Sequence, residues 1–288
     1  MRSALLLTAA VLAAASSAQA APKKASAPPS AAAAGPSAAD WRSPDPQNLL
    51  VIDTNQGRIV VELSPELAPN HVARIQELTR QHFYDGLTFF RVIEDFMDQT
   101  GDPQNIGEGG SKLPDLEPEF AFKRGAATPF VPVGAAGALE SGFVGSVPAR
   151  SQPSALMALT ATGEVQAWGV FCPGVAGMAR AQAPGSANSQ FFLMRGFSQQ
   201  LERNYTVWGR VISGLDVVRK IKAGEPVPQP QDKMVQVRLL ADIPEKERPK
   251  VQVLDTRSAY FRQLVEAAKH AKGDGFSVCD VDLPAQVK

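Results

Sequence analysis

Apolar positions change their period several times along the chain, and each change marks an element. LLVIDT (Leu49 to Thr54) and RIVVEL (Arg58 to Leu63) flank Asn55-Gln56-Gly57, which predicts a β-hairpin. Pro65 and Pro69 then precede a stretch in which Val72, Ile75, Leu78 and Thr79 recur at helical spacing, and Asp85-Gly86 marks a turn into the apolar run LTFFRVI. After Asp102 glycine and proline crowd the chain, from Gly107-Glu108-Gly109-Gly110 through the 128–154 region, which predicts long surface loops. Strands return with QAWGVF (Gln166 to Phe171), VAGMAR (Val175 to Arg180), SQFFLM (Ser189 to Met194) and YTVWGRV (Tyr205 to Val211). A short helix over Leu215 to Lys222 and a strand over Val235 to Ile243 follow; beyond Pro244 come a strand at Val251 to Asp255 and a helix around Tyr260 to His270. Before Pro244, many short strands and two helices predict a mainly β fold, a closed barrel whose ends the helices cap, because closure leaves no sheet edge exposed.

Composition narrows the partners. Lys plus Arg equal Asp plus Glu at 29 each in 288 residues, so no net field recruits nucleic acid or an anionic membrane surface. Arg2, the short apolar stretch Ala4 to Ala15 and the small-residue site Ala18-Gln19-Ala20 read as a secretory signal over residues 1–20, too short for a membrane span. Residues 21–46 collapse to Ala, Pro, Ser and Gly, read as a disordered linker before a domain at 47–243 and a C-terminal extension at 244–288. Export makes a disulfide between Cys172 and Cys279 chemically possible; two unpaired thiols are the alternative. No close ligand spacing joins those cysteines to His71, His82 or His270, so no metal site is expected.

The motifs of hydrolysis are missing: there is no G-x-S-x-G elbow, no H-E-x-x-H and no phosphate loop. The 107–110 glycine run lacks the strand, helix and lysine of a phosphate site and reads as a plain turn, while Glu117 and Glu119, in a loop flanked by Pro114 and Pro118, read as solvated. Arg91 is different. On a strand it shares a face with Phe89 and Ile93, so its guanidinium is either an exposed edge group or stands at an open groove. Phe96, Met97 and Gln99 follow closely enough to wall such a groove and to hold the guanidinium. In SQFFLM, Gln190 and Phe192 share one face while Phe191 and Leu193 face the core. An arginine and glutamines in an apolar aromatic groove make a peptide-binding pocket.

FFRVIEDFMDQTGD (Phe89 to Asp102) followed by GMARAQAPGSANSQFF (Gly177 to Phe192) resembles the cyclophilin family of peptidyl-prolyl cis/trans isomerases, in its exported bacterial form with a long insertion, and the resemblance spans roughly residues 47–243. It implies an eight-stranded antiparallel barrel capped by two α-helices, no cofactor, a monomer, and proline-containing exported polypeptides as partners in a periplasmic compartment. By position it implies that Arg91 is the catalytic arginine and Gln99 its orienting partner. Phe96, Met97 and Phe192 then form the proline pocket, Ala179 and Arg180 the groove wall, and Gln190, Leu201 and Tyr205 further lining positions.

Three departures stand out. Gln200 occupies the place of a tryptophan that contacts cyclosporin, which predicts weak binding of that drug. Tyr205 replaces a common histidine and keeps an aromatic wall with a polar tip. The stretch from about 125 to 168 exceeds the usual link between the motifs and is read as an ornament beside the barrel, with a client-binding flap as the sharper alternative. The functional expectation is a prolyl isomerase that assists folding of exported proteins; the alternative is a non-catalytic cyclophilin-like binding module or chaperone.

Overall fold

The computed structural model describes residues 35–288. The expected signal over 1–20 lies outside the described residues, as does most of the expected linker. The described end of that linker is ordered, which corrects the boundary at 46: a 3-10 turn at Ala38–Asp40 leads into strand β1, Trp41–Arg42, and a second at Pro46–Asn48 is capped by Asp45.

Strands β2 (Leu49–Thr54) and β3 (Gly57–Leu63) form the predicted hairpin, with Gly57 at φ +137° in the turn. Helix α1 (Pro69–Arg80) starts on a proline, where the missing N–H costs nothing, and buries Val72, Ile75 and Leu78 on one stripe. Glu119 holds its first turn, accepting from the backbone N–H groups of Asn70 at 3.1 Å and His71 at 3.0 Å and lying 2.6 Å from Nδ1 of the fully buried His71. Glu119 is therefore a structural carboxylate, not the solvated group expected. Strands β4 (Arg91–Ile93) and β5 (Met97–Thr100) follow.

The 128–154 region is not the run of loops the glycines and prolines predict. Strands β6 (Phe122–Arg124), β7 (Phe130–Ala136), β8 (Leu139–Val144), β9 (Val147–Ser151) and β10 (Val165–Gly169) form a five-stranded antiparallel sheet in the order β6-β10-β9-β8-β7. The two hairpins that link β7 to β8 and β8 to β9 turn on Gly137 and Gly145, both in the left-handed region where a side chain is strained.

Strands β11 (Val175–Met178), β12 (Phe191–Met194) and β13 (Val207–Ser213), helix α2 (Leu215–Lys220) and strand β14 (Met234–Leu239) complete the main sheet, ordered β14-β2-β3-β13-β11-β12-β5-β4. This curled eight-stranded sheet is the mainly β cyclophilin-like fold expected, with one correction. Its ladder does not close between β4 and β14; backbone hydrogen bonds between the segment before β4 and the start of β14 stitch the seam, from Phe89 N–H to the Asp232 carbonyl and from Met234 N–H to the Leu87 carbonyl, each 2.9 Å. Inside lie Ile52, Ile59, Phe89, Phe191, Leu193 and Trp208, all fully buried, with Tyr84, Phe191 and Trp208 packed edge to face.

In the extension, β15 (Val251–Leu254) pairs with β1 on one side and β16 (Ala285–Val287) on the other, and helix α3 (Ala259–Lys272) lies between them in sequence. Phe261 of α3 packs edge-on against Phe143 of β8, so extension and inserted sheet share a core. Cys172 and Cys279 are disulfide-bonded with Cα atoms 5.2 Å apart, tying the extension to the segment before β11. No helix among the described residues is long and apolar enough to cross a membrane.

Candidate active site

Register places the site. Arg91 pairs with Gln99 across β4 and β5, Gln99 with Phe192 across β5 and β12, and Phe192 with Gly177 across β12 and β11. Residues opposite one another on adjacent strands point to the same face, so four positions distant in sequence form one row. The row runs from a charged end to an apolar one.

At the charged end the guanidinium is held from two sides. Its Nη1 donates to Oε1 of Gln99 at 3.3 Å and its Nε to Oε1 of Glu225 at 2.5 Å. Nη2 has no protein acceptor among the described residues, and the side chain is 37% exposed. Gln99 in turn donates to Oε1 of Gln190 at 2.9 Å, and Gln190 donates to the carbonyls of Gly107 at 3.0 Å and Gly109 at 2.8 Å. These last bonds assign a task to the 107–110 glycines beyond that of a plain turn.

The relay ends on a buried carboxylate. Asp102 accepts from the N–H groups of Gln104, Ile106 and Gly107 at 2.8, 3.0 and 2.6 Å. Burial acts to raise its pKa, but backbone N–H groups of Gln104, Ile106, Gly109 and Gly107 outweigh that and hold the carboxyl below its ordinary value. The charged form of Asp102 therefore pins the loop on which Gln190 leans.

At the apolar end a cavity of about 210 Å³ is lined by Arg91, Gln99, Phe96, Met97, Phe192 and Leu201, with Ala179, Arg180 and Tyr205 completing it. Phe192 forms its floor, stacked on Phe171 with centroids 5.9 Å apart and meeting Tyr205 edge-on at 6.0 Å. Gly177 allows that floor: a Cβ there would lie 2.4 Å from Cζ of Phe192. Arg180 lies over the Tyr205 ring at 4.6 Å, and its donors go to the Asn204, Ala181 and Gln182 carbonyls, so it braces the wall. Every expected site residue but Gln190 lines this cavity; Gln190 lines an adjoining hollow of about 620 Å³ that shares Gln99, Ala179 and Arg180.

A family model for the cyclophilin type peptidyl-prolyl cis-trans isomerase/CLD matches residues 49–240. The chain belongs to the cyclophilin family. It is 35% identical over 214 residues, 69% of this chain and 85% of the relative, to a probable peptidyl-prolyl cis-trans isomerase of Brucella suis biovar 1. It is 27% identical over 187 residues, 63% of this chain and 81% of the relative, to the human peptidyl-prolyl cis-trans isomerase-like 1. Among solved structures it is similar to the cyclophilin AquaCyp293 from Hirschia baltica, with a TM-score of 0.79 and 34% identity, covering 86% of this chain and 93% of that one.

In this cyclophilin the inserted sheet reaches the site through a residue that sequence reasoning passed over. Glu202, beside Leu201 in the pocket wall, accepts two bonds of 2.8 Å from Nη1 of Arg150 on β9 and one of 2.9 Å from Nε1 of Trp168 on β10. Burial raises its pKa, against the pull of Trp168 and Arg150. Glu225 was also missed: it sits in a proline-rich stretch with no periodicity, and no motif marks it. Asp102 closes the first cyclophilin motif, so that signal was present in the chain.

Proposed function

We propose that this cyclophilin is an active prolyl isomerase that accelerates rotation about X-Pro bonds in exported polypeptides. The observation that carries the reading is the Arg91 guanidinium, fixed at two nitrogens with Nη2 free, at the mouth of an apolar cavity sized for one small ring.

A peptide bond resists rotation by about 18–20 kcal/mol because the nitrogen lone pair is shared with the carbonyl, and proline is the residue for which both isomers are appreciably populated. Rotation localises that lone pair on nitrogen. A guanidinium donor aimed at the nitrogen forms a bond that strengthens as the amide twists, so it stabilises the transition state more than either ground state. Phe96, Met97, Phe192 and Leu201 hold the ring while the acyl side turns. No nucleophile, base or cofactor enters this scheme. Export is supported by the reading of the first twenty residues and by the disulfide, a bond that persists in oxidising compartments.

The test is a protease-free isomerisation assay on a short proline peptide. Arg91→Ala is expected to lower kcat/KM by about two to three orders of magnitude, the scale for loss of one transition-state donor, with little effect on unfolding because the side chain is partly exposed. Wild type without activity, or Arg91→Ala at wild-type activity, would leave the non-catalytic binding module as the reading.

A further inference from the structure

Arg91 stands on the ladder's outer edge, yet its neighbours are not free. Val92 exchanges backbone hydrogen bonds with Gly224, 2.9 Å from Val92 N–H and 2.8 Å from Gly224 N–H, and Val227 N–H donates to the Phe90 carbonyl at 3.0 Å. The 224–227 segment is thus stitched to β4 on both sides of residue 225. That backbone placement sets the Glu225 carboxylate beside Nε of Arg91, where Oε1 accepts at 2.5 Å. The paired backbones fix where the Glu225 side chain starts, and that side chain, 56% exposed, then completes the ion pair.

The pairing decides which guanidinium nitrogen is left to act. Guanidinium is planar, so holding Nε and Nη1 on separate partners fixes both the plane and its rotation. Gln99 alone would leave the group free to swing about a single long bond of 3.3 Å. With Glu225 in place the remaining edge, Nη2, is the one left unpaired. Glu225 does not line the cavity of Phe96, Met97 and Phe192. It lines a neighbouring hollow of about 740 Å³ on the other side of Arg91, with Phe90, Ile106, Pro226 and Val227.

We propose that Glu225 is a positioning residue for the isomerase reaction, a second anchor that orients the Arg91 guanidinium before a peptide binds. The proposal rests on the reading of this chain as an active isomerase. A carboxylate so placed could instead compete with the peptide for the guanidinium, or could itself read the residue next to proline; each alternative gives a different outcome.

The experiment uses the full mature chain and the variants Glu225→Ala, Glu225→Gln and Glu225→Asp, with kcat and KM measured separately on proline peptides whose flanking residue is Ala, Lys or Glu. Side-chain ¹H–¹⁵Nε spectra of Arg91, assigned with Arg91→Lys, are recorded without peptide. Glu225→Ala is expected to lower kcat by about fivefold, the upper end for a partly exposed ion pair, with KM little changed and the same factor for all three peptides. Glu225→Asp restores part of the rate. The Arg91 Nε–H signal loses its exchange protection in Glu225→Ala and keeps part of it in Glu225→Gln. Three results overturn the proposal: activity unchanged or raised in Glu225→Ala, an effect that follows the flanking charge, or an Nε–H signal indifferent to the variant. If wild type is inactive the functional reading falls, and the spectra alone still decide whether Glu225 holds Arg91.

Discussion

Gly177→Ala adds one methyl group to the row that carries the site, and the structure says where the strain goes. The new Cβ would lie 2.4 and 2.7 Å from Cζ and Cε2 of Phe192 and 2.8 Å from Cε1 of Phe171. Carbon atoms pack at roughly 3.5–4.0 Å, so the Phe192 ring must retreat by about 1 Å. Phe171 is fully buried and stacked behind that ring, and Tyr205 closes its edge. The open direction is the cavity of about 210 Å³ proposed to hold the proline ring. Overpacking of this kind costs about 1–3 kcal/mol in stability, and a methylene-sized misfit in an apolar specificity pocket costs about 1–3 kcal/mol in transition-state binding, or 10–200-fold. The expected outcome is a protein that still folds, with KM for a proline peptide raised at least about tenfold and kcat reduced less. Gly275→Ala, where a Cβ meets nothing within 4 Å, serves as the control. Gly177→Ala with wild-type KM would refute the assignment of Phe192 as the floor that holds the ring.

The disulfide closes a separation of 107 residues, so Cys279→Ser, or reduction of wild type, is expected to cost about 2–4 kcal/mol in urea unfolding; equal midpoints with and without dithiothreitol would refute this. Asp102 is one carboxylate that makes stability depend on pH: its folded pKa lies below the ordinary 3.8. It therefore contributes stability that is present above the unfolded value and lost as pH falls through the folded one. Hydrogen exchange should show the Gln104, Ile106 and Gly107 amides protected above about pH 4 and losing protection below it. Asp102→Asn should show that loss already at neutral pH, and protection that survives in acid while the barrel stays folded would refute the role.

The β2–β3 hairpin, α1 and strands β4, β11 and β12 were legible because each carries its signal locally, as a turn glycine, an apolar stripe or a run of β-formers; β5, Met97-Asp98-Gln99-Thr100, carries no such signal and was not read as a strand. Strands β7 to β9 were not: Gly134, Ala135 and Ala136 on β7 and Ser141 and Gly142 on β8 give no alternation, and Pro132 and Pro148 read as breakers. Their sheet is supported from far away, by Phe261 and the disulfide. Strand β1 was absorbed into the linker because its partner, Val253–Leu254, lies over two hundred residues on. At the site, Arg91, Gln99 and the apolar pocket were legible through the family motifs. Glu225 and Glu202 were not, because each acts through contacts that only the folded register creates.

Glu202 also bears on what the inserted sheet does. As an ornament the sheet would touch the barrel without consequence for the site; as a client flap it would present a free surface beside the groove. Nη1 of Arg150 and Nε1 of Trp168 instead donate inward, to a carboxylate whose side chain is 7% exposed and which sits between Leu201 of the cavity wall and the turn that carries Tyr205. Arg203 covers the Trp168 ring from outside at 5.1 Å. Deleting residues 125–168 would remove Arg150 and Trp168, the two side chains that hold Glu202, together with Phe143, which packs on Phe261, and would loosen the pocket wall whether or not any client touches the sheet. Loss of activity in such a deletion is therefore no evidence for client binding. The surface that can be altered without disturbing Glu202 is the far edge of the sheet, β7, which is separated from β9 and β10 by β8. A client role has to be sought there, with the Arg150 and Trp168 clamp left intact.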